Sequence, residues 1–171
     1  MRYLHTGLIL VALVLTLSDA VAGPTDLDSI RRMAASGEQM AAIARLDDII
    51  AEDDNDLQAR FLKGSLLLES GDRDGARDTF AEIARLFPRL PESFNNLAAI
   101  YAEEGEYEKS RQALLSAAAN APDYAAVRSN LGDLYVKMAL DSYHKALELN
   151  PADEVSRERL QHIKQLFLID G

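Results

Sequence analysis

A spacing of 34 residues that relates three successive units restricts this 171-residue chain to a stack of helical hairpins. Between residues 94 and 122, Phe94, Leu97, Ala98 and Tyr101 precede Gly105, and Ser110, Leu114, Ala117 and Pro122 follow it. An apolar or small residue every three or four positions, broken at a glycine and stopped before a proline, predicts two amphipathic helices folded back on one another. Thirty-four residues earlier stand Gly71, Ala76, Phe80 and Pro88, and earlier again by the same interval Gly37, Ala42 and Leu46. One such hairpin cannot bury its apolar face alone, so recurrence at a fixed period means that neighbouring hairpins share a core. No strand is predicted.

The order of an aromatic, Leu-Gly, Tyr, Ala, aromatic and Pro at these offsets resembles the tetratricopeptide repeat. The resemblance covers about residues 24–151 and implies an all-α helical-hairpin solenoid. Its amino-terminal unit is degenerate: Met40, Ile43, Leu46, Ile49 and Ile50 supply an inward face, but Asp54 replaces the closing proline. Asp26 or Asp28 is expected to cap the first helix. In the second unit Arg60 and Lys63 stand where the family has an aromatic and a Leu, while Gly64 and Ala76 let two helices cross closely. Pro91 suits a first helical turn, and Asp123 is placed to cap the helix that carries Leu131, Gly132 and Tyr135.

After Tyr135 the register breaks. Ala139, Tyr143, Ala146 and Pro151 match second-helix positions, yet Pro151 follows Pro122 by 29 residues rather than 34, and the glycine turn is missing. Leu131, Tyr135, Met138, Ser142, Ala146 and Leu149 follow one helical stripe, which predicts a single continuous helix from about Tyr124 to Leu149. Its second half should leave Tyr143, Ala146 and Leu147 for other cover. Asp153 should cap a closing helix whose inward face is Val155, Leu160, Ile163, Leu166 and Phe167, returning along that half in place of the absent second helix.

At the other end, Arg2 precedes an uncharged stretch from Tyr3 to Ser18, and Ala20-Val21-Ala22 offers a small-x-small cleavage site. This is the form of a secretory signal; the alternative, a membrane anchor, needs ~20 apolar residues, more than the segment has. The expected organisation is a signal peptide over 1–22, the repeat array over 23–151 and a capping helix over 152–171. Losing Arg2 and Asp19 removes one charge of each sign, so the net charge stays at −10. That charge disfavours nucleic acid and anionic lipid. Absence of cysteine excludes disulfides and thiolate chemistry, and an exported chain without them fits a bacterial periplasm.

Residues that could do chemistry are few. His144 and His162 lack metal-ligand spacing and are expected on the surface, no Gly-x-Ser-x-Gly elbow occurs, and the six carboxylates of 47–56 lack the glycine and distal glutamate of a calcium loop. That cluster reads as a solvated helix end. No cofactor, metal or catalytic residue is expected. The functional content lies on the first helix of each hairpin, which in this architecture lines a concave groove. Asn96 and Asn130, 34 residues apart, can offer donor and acceptor to the backbone of an extended peptide, and they resemble asparagines that family members use in this way; local packing and capping is the competing explanation. Phe61, Ser65, Asn95, Ala99, Ser129 and Asp133 are their neighbours by spacing. Ala126 and Asn130 occupy places where the chaperone-binding subfamily has basic residues, so its two-carboxylate clamp is not expected.

Together these features predict an exported adaptor, not an enzyme, that grips an extended or helical segment of a partner protein during envelope assembly or maturation. The rivals are a self-assembling protein that uses 139–167 as a homodimer contact, and an accessory to, or undetected form of, an envelope hydrolase. Neither nucleic acid nor a lasting membrane span is expected. Mass spectrometry of the exported protein should find an amino terminus at Gly23; an intact Met1 would contradict the signal peptide.

Overall fold

The structure, a computed structural model, describes residues 27–169, with side chains to 166. The signal-peptide segment, Asp26 and the side chain of Phe167 therefore lie outside the described residues. Eight helices follow one another among those residues: α1 Leu27–Ala35, α2 Gln39–Glu52, α3 Leu57–Ser70, α4 Arg73–Leu86, α5 Pro91–Glu103, α6 Tyr107–Asn120, α7 Ala125–Leu149 and α8 Glu154–Ile169. Each helix packs on the next, and α5 also touches α7, as in a stack of hairpins.

The hairpin turns are made by glycine. Gly71 and Gly105 adopt φ of 86° and 77°, the left-handed region that a side chain disfavours. There the chain closes each helix, Asp72 N donating to Leu67 O at 2.9 Å and Glu106 N to Tyr101 O at 2.8 Å. Asp72 then caps α4 through the amide of Gly75. Within a hairpin the two helices meet at small residues. A Cβ on Gly64 would lie 2.8 Å from Cζ of Phe80, so the ring rests on bare backbone. In the next hairpin Ala98 takes that place, and its carbonyl accepts the buried Ser110 hydroxyl at 2.7 Å. Leu46, Phe80 and Leu114, at 34-residue intervals, form the centre of the core and are all buried. Burying each contributes about 1.5–3 kcal/mol.

Arg60 is buried where an aromatic would pack. It donates to Asp54 O at 3.0 Å and to Glu82 Oε2 at 2.7 Å, tying the α2–α3 loop to α4. Lys63 pairs with Asp47 of α2 at 2.5 Å, and Asp56 caps α3, so the acidic run is a helix end and a cap.

Several expectations need correction. Met40 is 75% exposed, because the face of α2 that meets α1 and α3 centres on Ala42, Ile43 and Leu46. Asp28 lies inside the first turn of α1 and pairs with Arg31 instead of capping. At α7 the N-cap position falls to Tyr124, without a side-chain bond, rather than to Asp123. Val155 and Leu166 of α8 are exposed, whereas Ser156 and Leu160 are buried. Counted from Pro151, Ser156 and Leu160 match Ser93 and Leu97 counted from Pro88, so α8 takes the position of a further first helix. It packs on α7 but leaves open space at Gly132, and thus does not substitute for the absent second helix.

The continuous helix is present: α7 runs unbroken for 25 residues, roughly 37 Å at 1.5 Å per residue. Among the described residues no helix is long and apolar enough to cross a membrane.

Two predictions follow from this packing. Gly64→Ala should lower the melting temperature, since about 1–3 kcal/mol of overpacking against an immobile ring exceeds the ~1 kcal/mol that alanine gains in a helix. At Gly132, where nothing opposes a Cβ, the same change should raise it. Asp153 caps α8 by accepting the hydroxyl and the amide of Ser156, and these bonds hold its carboxyl below the usual carboxylate range. The cap contribution is complete above that usual range and disappears as pH falls through the lowered value. The protection factors of the α8 amides, with exchange normalised to the intrinsic rate at each pH, should fall on acidification in the native chain, and an Asp153→Ala variant should show the lower protection already at neutral pH.

Candidate functional site

The first helices α5 and α7 touch each other as well as the intervening α6, so they share one wall of the stack. Between them opens a cleft of about 190 Å³. Its floor is apolar, made by Ala98, Ala102, Leu114 and Leu134. Its rim is largely polar: Glu103 on α5, one turn from Ala99, and Asn130, Asp133 and Lys137 on α7.

This rim is one helical stripe repeated. Residues 96, 99 and 103 recur 34 positions later as 130, 133 and 137. Ala99, Asn130 and Asp133 were expected on that spacing; Glu103 and Lys137 were not, though one further turn along the same stripe reaches both. Glu103 is held by Arg73 at 3.0 Å. Asp133 and Lys137 have no ion-pair partner among the described residues and leave two free charges of opposite sign at the mouth.

The asparagines are arranged differently from a simple stack. Asn130 Nδ2 donates to Asn95 Oδ1 at 2.7 Å, so the side chain paired with Asn130 is Asn95 rather than Asn96. The bond ties α5 to α7. It leaves Asn95 with its amide donors and Asn130 with its carbonyl acceptor still to be used. Asn96, half-buried, makes no hydrogen bond among the described residues.

Neither Asn95 nor Asn96 lines the cleft, and the remaining expected residues also stand outside it. Phe61 lies edge-on to Phe80, ring centroids 5.6 Å apart, and is part of the α3–α4 packing. Ser65 donates its hydroxyl back to Phe61 O, as helical serines do. Ser129 is exposed on the first turns of α7. His144 and His162 are exposed, and among the described residues no three His, Asp or Glu side chains converge as metal ligands would.

A layer of hairpins crossing at small residues, with a polar-rimmed cleft on its first-helix wall, defines a helical repeat solenoid. The family model for the tetratricopeptide repeat matches residues 34–91 and 64–125, and the chain belongs to that family. None of the curated proteins matches the sequence. Among solved structures, a crystal structure of MamA is similar with a TM-score of 0.59 and 18% identity, over 80% of this chain and 82% of that one. MamA 41-end from Desulfovibrio magneticus RS-1 gives 0.56 and 20%, over 75% of each chain. The Yersinia enterocolitica type III secretion chaperone SycD, solved in complex with a peptide of the translocator YopD, gives 0.59 and 17%, over 66% of this chain and 91% of that one.

Proposed function

We propose that this protein is a binding adaptor that holds an extended or helical segment of a partner protein in the cleft between α5 and α7. The observation that carries the proposal is the stripe of 99 and 103, repeated as 133 and 137 with Asn130 beside it, over an apolar floor. Free amide groups of Asn95, Asn96 and Asn130 can bond a peptide backbone, while Asp133 and Lys137 select the charges it carries. Membership of a repeat family whose members are generally non-catalytic interaction modules supports an adaptor over an enzyme. That a structurally similar chaperone was solved with a peptide supports the use of this fold for segments of other proteins. The uncharged segment behind Arg2 supports work in a bacterial envelope or outside the cell.

Self-association through 139–167 is a second reading, favoured by the incompletely covered sides of α7, where Tyr135 is 49% exposed.

A photo-crosslinking residue at Ala99, inside the cleft, should capture a partner from envelope extract, and one at Ala81, exposed on α4, should not. Asn96→Ala combined with Asn130→Ala should weaken capture roughly tenfold or more at about 0.5–1.5 kcal/mol per lost contact, with melting shifted by no more than a few degrees. Equal capture at both crosslinking positions would remove the groove as the binding site.

A further inference from the structure

The last hairpin is present in sequence but not closed in space. Counted back from the closing prolines Pro88, Pro122 and Pro151, three second-helix positions correspond: Ala76, Ser110 and Ala139; Phe80, Leu114 and Tyr143; Ile83, Ala117 and Ala146. In the first two hairpins all of these are fully buried against the preceding helix; in α7 each is only half-buried. The opposing surface is equally bare. Gly64 supports Phe80 and Ala98 is buried, but a Cβ on their counterpart Gly132 would meet nothing within 4 Å.

The chain cannot bring these faces together itself. Gly132 and Tyr143 lie on one unbroken helix, eleven residues and so about 16 Å apart along its axis. Nor does α8 close the hairpin: it reaches Tyr143 from the side of a following repeat, Arg159 lying over the ring at 6.0 Å and donating to the hydroxyl at 3.3 Å, and it leaves Gly132 open.

We propose that two copies of this chain exchange the second halves of α7, each laying Ala139, Tyr143 and Ala146 on the other's Ala125–Met138 segment to complete a terminal hairpin. This rests on the self-association reading and names its geometry. A second copy is the occupant because one chain carries both complementary faces, and a two-fold axis satisfies both at once with an antiparallel pair. The resulting contact continues, in the same register, the α3–α4 and α5–α6 interfaces already built, with Tyr143 over Gly132 as Phe80 lies over Gly64. Shortening a hairpin connection until it cannot turn is a general route to such exchange. The pairing also sets Arg128 and Lys145 at the positions of Arg60 and Glu82, so that ion pair is not repeated; Lys145 is instead held by Asp141 at 2.6 Å.

Light scattering on the exported protein should show a dimer. Gly132→Trp, which meets open space in a single chain, should convert it to a monomer of unchanged helicity, while Gly132→Ala keeps the dimer. Inserting Gly-Asp-Tyr-Asp-Glu after Met138 restores the 34-residue spacing and should also give a monomer. Lys145→Glu should lower the dimer dissociation constant by about two- to fivefold, the worth of one ion pair at a surface. Because the chain has no cysteine, Gly132→Cys mixed with Tyr143→Cys should form a disulfide-linked heterodimer. A native monomer overturns both the exchange and self-association; a dimer that survives Gly132→Trp and gives no mixed disulfide overturns the exchange alone.

Discussion

Each hairpin depends on a large apolar side chain of the second helix resting where the first helix has almost no side chain. Phe80 over Gly64 is the clearest case, and Leu114 beside Ala98 repeats it. Dispersion and burial both improve when two backbones approach closely, and close approach is available only where a Cβ is missing or small. The left-handed turns at Gly71 and Gly105 bring these surfaces into register, so turn and notch operate as one device.

Once the hairpins are formed, polar side chains join one to the next. Arg73 and Arg77 of α4 reach Glu103 and Glu104 at the end of α5, Asn120 of α6 donates to Pro88 O, and Asn130 of α7 donates to Asn95 of α5. These contacts are partly exposed, and each is worth less than a buried apolar residue. Their effect is directional: they fix how far one first helix slides past the next, which sets the width of the cleft between α5 and α7. The cleft is thus a product of inter-hairpin geometry built on intra-hairpin packing.

Removing five residues from the last hairpin affects the two levels differently. The first half of α7 still packs on α6, with Val127, Leu131 and Leu134 buried, so the cleft keeps both of its walls. The second half is carried away from its own first helix, along with every position that would have closed on it. The cleft and the uncovered side of α7 are therefore different faces and can be altered separately by substitution.

The periodic sequence was enough to determine the all-helical stack, the hairpin boundaries and the unbroken α7, because spacing and the presence or absence of a turn glycine are properties of the chain itself. Part of the cleft was legible on the same ground: Ala99, Asn130 and Asp133 follow from one stripe and one period. Other features depended on which neighbour each side chain meets. Met40, Val155 and Leu166 are apolar, yet they face solvent because the buried faces centre on Ala42, Ile43 and Leu46 in α2 and on Ser156 and Leu160 in α8. Phe61, partly buried, packs edge-on against Phe80, and Asn130 pairs with Asn95 rather than with the residue stacked with it by period. Periodicity specifies the face of a helix to within one or two residues, whereas the partner of an individual side chain is decided by the tilt and offset of the next helix, which only the packed structure contains.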